Sequence, residues 1–190
     1  MAYLGLVKFA VSPYDVDADT YSGGKIAAKM VSMTINPTYK EGSLAADDDS
    51  QAEYKKEFSY ADVQIETDTL PEEIVAMMFG HKIGTSSDGG EEGEMTYAGG
   101  DIAAYVGAGS IVRQIVHGKE SWVATWLKKV QFAEQEENYT TAGDNIQLTG
   151  NKIQGRATLA KDGTWRTRKR FDTEAEAVAY ITKKGNIKVD

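Results

Sequence analysis

Apolar and polar residues alternate along most of this chain, and that period of two predicts a protein built mainly of β-strands. Leu4 to Val11 places Leu4, Leu6, Phe9 and Val11 between small or polar residues. Ile26 to Ile35 reads as a second strand, with Met33 and Ile35 on one face and Pro37 closing it. Tyr54 to Glu66 sets Phe58 and Tyr60 against Val63 and Ile65, a change of phase that predicts a bulge. Ile102 to Ile115 and Ser121 to Phe132 are rich in β-branched and aromatic residues and form a predicted hairpin around His117 and Gly118. Ile146 to Ile153 is a further strand. Arg156 to Leu159 and Thr164 to Phe171 are expected to pair across Lys161, Asp162 and Gly163, because Asp-Gly suits the positive φ of a tight turn.

The pattern changes to a helical one twice. From Thr69 to Phe79, residues Ile74, Met77 and Met78 share one face, and Thr69 and Glu72 have the spacing of a capping box. Pro71 is tolerated in the first turn, and Gly80 is the expected stop. From Thr173 to Lys183, Thr173 and Glu176 repeat the capping spacing, with Val178 and Ile181 facing inward. Between these elements lie polar stretches read as loops: Ser12 to Gly24, Tyr39 to Ala52 with its acidic run, and Gly84 to Gly100, which carries a short strand near Met95 to Tyr97. No internal repeat or domain linker interrupts residues 1–190, so one β-rich α+β domain is expected. It would carry one or two short helices and extended loops near 39–52 and 84–100.

Composition narrows the function classes. The chain has 190 residues, enough to bury a sizeable core, and no cysteine. Disulfides and thiol catalysis are thereby excluded, and manufacture in a reducing cytoplasm is expected. No run of 18 apolar residues predicts a membrane helix, and the N-terminus does not have the pattern of a secretory signal. Charge is uneven. Residues 1–100 carry 7 Lys and Arg against 18 Asp and Glu, a net of −11; residues 101–190 carry 14 against 11, a net of +3; the sum is −8. An acidic chain repels nucleic-acid backbones, so ordinary DNA binding is disfavoured. The asymmetry fits either two solvated faces or complementary surfaces on identical subunits.

Catalytic and metal motifs are incomplete in this sequence. Asp15, Asp17 and Asp19 match the opening of a calcium loop, but Thr20 stands where glycine is needed and Ile26 where a bidentate glutamate is needed. Asp47, Asp48, Asp49 and Glu53 form an acidic run of the kind usually found solvated. His81 and His117 have no zinc spacing. Gly118 and Lys119 end like a phosphate loop, but Glu120 replaces its hydroxyl residue. No nucleophile–base constellation is present, so no enzyme, cofactor or metal is expected. The remaining cluster is basic. Arg166, Arg168 and Arg170 would share one face of a strand, with Trp165, Thr167, Lys169 and Phe171 on the other. That face is either a solvated edge or a docking surface for an acidic neighbour.

Three segments together resemble the major tail-tube proteins of long-tailed bacteriophages. They are Tyr39-x-Glu-Gly-Ser-Leu-x-x-Asp-Asp48; Leu70-Pro-Glu-Glu-Ile74 ending at Gly80 and His81; and Tyr139-x-Thr-x-Gly-Asp-x-Ile146 followed by Ile153 and Gly155. The similarity spans roughly residues 24–171. The resemblance implies two packed sheets with a flanking helix. It further implies hexameric rings that stack into a tube in the virion tail, assembled in the host cytoplasm. The long loop around Glu41, Leu44, Asp47 and Asp48 would then join rings, and Arg166, Arg168 and Arg170 would face acidic groups of a neighbour. The implied partners are further copies of the chain and the tape-measure, tail-terminator and distal-tail proteins. DNA would pass through the lumen without specific binding, and no membrane is involved. A monomeric β-sandwich binding module for a carbohydrate or cell-surface partner is the alternative.

Overall fold

The architecture comes from a computed structural model, which describes residues 2–46, 49–85, 91–133 and 151–188. In chain order the elements are β1 (Ala2–Asp15), β2 (Thr20–Tyr21), β3 (Lys25–Ala28), β4 (Met30–Ala46), β5 (Asp49–Thr67), α1 (Glu72–Phe79), β6 (Lys82–Ile83) and β7 (Met95–Thr96). There follow β8 (Tyr105–Val116), β9 (Lys119–Ala133), β10 (Asn151–Thr158), β11 (Arg166–Phe171) and α2 (Glu174–Lys184). The fold is mainly β, with two short helices. A large antiparallel sheet runs β2-β1-β8-β9-β10-β5-β4, with β3 on β1 and β11 on β9; β6 and β7 form a small second sheet.

The large sheet curls around its own apolar face. Phe9 and Val11 of β1, Val106 and Ala108 of β8, Leu127 and Val130 of β9, and Val63 and Ile65 of β5 belong to one buried cluster. Both wings of the sheet therefore share a core, so that one curled sheet supplies two facing walls. Helix α1 closes this core with Ile74, Met78 and Phe79. A second cluster covers the opposite face of the same sheet. There Ala177 and Ile181 of α2 pack on Ala10, Ile111, Ala124 and Trp126. Trp126 is fully buried, and its indole lies where three glycines leave room. A Cβ at Gly107 would come within 2.4 Å of the ring, one at Gly109 within 2.7 Å and one at Gly185 within 2.6 Å.

Several local expectations hold. His117 (φ 50°) and Gly118 (φ 76°) form the tight turn between β8 and β9, with Val116 opposite Lys119. Both residues are left-handed, as a two-residue hairpin of matching twist requires. Thr173 and Glu176 form the full capping box of α2. Gly80 ends α1 at φ 81°, and its N–H donates to the Ala76 carbonyl.

Others are corrected. Thr69 does not cap α1; the N-cap is Pro71, and no side chain accepts there. Thr69 instead interacts with the preceding Asp68, whose Oδ1 accepts its backbone N–H at 2.7 Å. The first loop is shorter than expected, because β1 continues to Asp15 and the chain returns as β2 and β3. Within 39–52, the described residues 39–46 and 49–52 are strand and not loop. Tyr39 to Ala46 pairs with Asp49 to Phe58 in a ladder that continues β4 and β5 beyond the body of the sheet. Alternation is weak there in the sequence, which lacks the period that marks a half-buried strand. The bulge sits at Ser59: Thr38 opposes Tyr60 and Tyr39 opposes Phe58, leaving Ser59 unmatched.

The expected hairpin across Lys161–Gly163 is also revised. Its turn exists, with Gly163 at φ 75° and the Ala160 N–H donating to Thr164 O. Yet β10 and β11 do not pair with each other. Both pair with β9, Thr158 opposite Lys129 and Arg166 opposite Leu127. They are one edge line interrupted by an excursion, and the Trp165 carbonyl rejoins it by accepting from Lys128 N–H. The expected strand 146–153 is seen from Asn151 onward; residues 146–150 lie outside the described residues, as does the segment beginning at Tyr139.

The contrast between the two threonines is testable. Thr173→Ala should lower stability by about 1 kcal/mol through the lost cap. Thr69→Ala should cost less than half of that. Urea unfolding of both variants measures the difference, and equal losses would contradict the cap assignment.

Candidate functional site

The sequence reading singled out two surfaces, the basic strand and the acidic segment near residue 41, and the structure gives each a definite setting. On β11 the side chains divide as alternation requires. Arg166, Arg168 and Arg170 oppose Leu127, Thr125 and Val123 of β9, and antiparallel partners point to the same face. That face is the inside of the curled sheet. Thr167 and Phe171 point to α2, where the Tyr180 hydroxyl donates to Thr167 Oγ1 at 3.2 Å and its ring meets Phe171 at 5.4 Å. All three arginines are exposed, on a strand that pairs with β9 alone among the described residues. Arg166 and Arg168 border a cleft of about 320 Å³ whose wall includes Leu6, Met33, Ile35 and Val112. Arg170 is exposed and does not line it.

The second surface is the arm made by the distal halves of β4 and β5. Glu41 opposes Lys56 across the ladder, and their side chains form an ion pair at 2.5 Å. The Lys56 hydrogen bond lowers the Glu41 carboxyl below its ordinary value. Both groups are about half exposed, so this pair contributes little to stability. Leu44 is opposite Glu53 in the ladder. Asp47 and Asp48 lie outside the described residues. The structure thus brings Glu41 to a lysine of its own hairpin, not to the arginine strand.

The link between the two surfaces was not foreseen. Phe58 and Trp165 stack with centroids 4.6 Å apart and planes 8° from parallel. Tyr39 meets Phe58 edge-on at 6.1 Å, Arg166 lies 4.5 Å from the Trp165 ring centroid, and Lys56 lies 4.8 Å from that of Tyr39. An aromatic run flanked by cations joins the root of the arm to the arginine strand. The available signal was Trp165 beside Arg166, but its partner is more than a hundred residues away and no short motif joins them.

The excursion 159–164 is pinned to the β1–β2 turn. Lys161 Nζ donates to Asp17 O at 2.7 Å, and Lys128 forms an ion pair with Asp162. Tyr14 donates to Asp19 Oδ1 at 2.6 Å, while Asp15 Oδ1 accepts from the N–H groups of Asp17 and Ala18. These aspartates act as turn and anchor groups. Tyr21 donates to Lys128 O at 2.8 Å, and burial first of all pushes its phenol up to about 12. Among the described residues no three His, Cys, Asp or Glu side chains gather where they could hold a metal ion, and no helix is long and apolar enough to cross a membrane.

One histidine–carboxylate pair is buried away from these surfaces. His81 Nδ1 and Asp101 Oδ2 are 2.8 Å apart, and the same oxygen accepts the Ala98 N–H at 2.9 Å. The Tyr97 ring covers His81 at 4.4 Å. The arrangement braces the chain between α1 and β8, where Gly80 also fits under the Ile102 carbonyl. The chain matches no protein-family model, and no curated protein matches it.

The Asp101 carboxyl sits below its ordinary value of 3.8, first through the Ala98 N–H and then through His81. A lowered folded-state value means that its stabilising effect is present above the unfolded value and is lost as pH falls through the folded one. Asp101→Asn should therefore reduce stability at neutral pH and flatten the decline on acidification from about pH 6 to about pH 2. Urea midpoints of both proteins across that range test this. Parallel curves would show that Asp101 carries none of the acid dependence.

Proposed function

We propose that this chain is a structural subunit that assembles into hexameric rings, stacked as the tail tube of a long-tailed bacteriophage. The observation that carries the reading is the arm. Among the described residues, β5 pairs with β4 alone beyond Ala61 toward its tip, because β10 matches only Ala61 to Thr67. A two-stranded ribbon is marginal in water and exposes strand edges. A neighbouring copy that accepts the arm would supply the missing contact. Tyr39 and Tyr54 are large exposed side chains on the arm and suit such an interface. The motif segments around Glu41, at Leu70 to Ile74 and at Tyr139 to Ile146 support the same assignment.

The mechanism would be mechanical. A head-to-tail contact whose rotation closes gives a ring, and one whose translation repeats gives a filament; a tube uses both. The acidic balance suits a conduit for DNA, because like charge denies phosphates a tight site. In this assembly Arg166, Arg168 and Arg170 would meet acidic groups of the next copy, and the tape-measure, terminator and distal-tail proteins would cap or fill the tube. A monomeric binding module is the second reading, and the cleft beside β11 is the feature in its favour.

Negative-stain microscopy and sedimentation of purified protein decide between them. Rings or tubes are expected at high protein concentration; monomer alone would overturn the assembly reading. A shortened variant that joins Tyr39 to Phe58 through an Asn-Gly turn should keep its melting behaviour and lose assembly. If that variant assembles normally, the arm is not the contact. Arg168→Glu should slow assembly at low salt, since rim charges are worth about 0–1 kcal/mol each and act mainly on association rate.

A further inference from the structure

The cleft beside β11 has a floor unlike its walls. Leu6, Met33, Ile35 and Val112 are half-buried and make the walls apolar. Ser110 and Thr125 lie opposite each other in the β8–β9 ladder and line the same cleft, yet they are only 1% and 8% exposed. Among the described residues neither hydroxyl has a hydrogen-bond partner. Unlike the Gln114 Oε1 further along β8, which is sealed off, both open onto the cleft. A polar group held in an apolar setting costs free energy until a donor or acceptor reaches it. Arg166 and Arg168 are exposed at the rim, where water screens their charge, so the floor sets the polar requirement of the site. Apolar walls with a few convergent polar groups are the usual make-up of a small-molecule site.

We infer that this cleft binds an uncharged amphiphile, a primary carboxamide with a short acyl chain, through the Ser110 and Thr125 hydroxyls. Directly opposed residues hold their Cβ atoms about 4.5–5.5 Å apart, so two hydroxyls can reach two atoms of one small head group. A hydroxyl both donates and accepts, and a carboxamide offers an acceptor and a donor side by side. Its carbonyl accepts from one floor hydroxyl, its amino group donates to the other, and its chain lies along Leu6, Met33 and Ile35. A carboxylate offers acceptors only and would lose its hydration at the floor, while a hydrocarbon would leave both hydroxyls unsatisfied. The volume of about 320 Å³ suits one such molecule and sits at the low end of small-ligand pockets. A sugar is disfavoured because the wall contains no aromatic ring on which its face could stack. The inference concerns the single subunit and holds whether or not the chain assembles.

The probe is hexanamide, added to the intact chain and followed through the methyl resonances of Leu6, Val112 and Val123. Saturable binding in the millimolar range is expected, with shifts at all three. Hexanoate at neutral pH should bind about tenfold more weakly, because a buried carboxylate gains no donor contact at the floor. Ser110→Ala and Thr125→Val each remove one hydroxyl with little change of shape, and each should weaken hexanamide about tenfold. Neither should weaken cyclopentane, which uses the walls alone. Arg166→Gln should change hexanamide binding by less than about twofold, as expected of an exposed rim charge. Melting curves establish that the variants fold, and Ser110→Ala is the smaller change if Thr125→Val does not. The proposal is overturned if hexanamide does not saturate, or if hexanoate binds as tightly as hexanamide. Equal losses of cyclopentane and hexanamide in the hydroxyl variants would overturn it too, since the floor would then act through shape and not through hydrogen bonds.

Discussion

β9 has to bury both of its faces, and the other elements are arranged around that requirement. Val123, Thr125 and Leu127 point into the curled sheet, while Ala124 and Trp126 point under α2. Trp126 is the most demanding of these, since an indole needs far more room than its neighbours on the strand. The space comes from main chain without side chains, at Gly107 and Gly109 on β8 and at Gly185 just after α2. A packed interior tolerates extra volume poorly, so these positions are constrained by the ring and not by backbone conformation. The capping box at Thr173 then fixes where α2 begins, so that Ala177 and Ile181 arrive over the indole.

The length of β9 has a second consequence. With 15 residues it exceeds β10 and β11, and the two shorter strands divide one of its edges between them. The junction falls at Lys128. Its N–H donates to Trp165 O, its carbonyl accepts from Tyr21, and its ammonium pairs with Asp162. Every backbone polar group that the broken edge would leave unpaired at this point thus finds a partner. The excursion can therefore interrupt the strand without breaking the sheet.

The alternation of apolar residues made the body of this fold legible. Strands β1, β4 and β5 follow a period of two where one face meets the core, β8 and β9 stand out as runs rich in β-branched and aromatic residues, and both helices follow their own period. The arm was not legible, because its Gly, Ser and Asp content reads as a loop. The β10–β11 relation was not legible either. Asp162 and Gly163 specify a turn, but a turn does not say whether the flanking strands meet each other or a third strand. Thr69 shows the same limit at smaller scale: its spacing to Glu72 fits a cap, yet Pro71 takes the position from which α1 starts. The arginine stripe was read correctly as one face of a strand. That this face looks into a cleft depends on the curl of the sheet, which no local pattern encodes.

The arm and the cleft meet at one place, and this limits how either can act. Among the described residues, no ladder hydrogen bond ties Asp49 to Phe58 of β5 to β10 or β11. The unmatched Ser59 lets the strand bend there, as bulges do. Side-chain contact between the base of the arm and the rim of the cleft runs through the stack of Phe58 on Trp165, with Tyr39 on one side and Arg166 on the other. Such a stack is worth about 0.5–1.5 kcal/mol beyond the area it buries. That is enough to favour one orientation of the arm, and small compared with the interface that a neighbouring molecule would offer. A partner that held the arm would act through this stack on Trp165 and Arg166, beside the cleft.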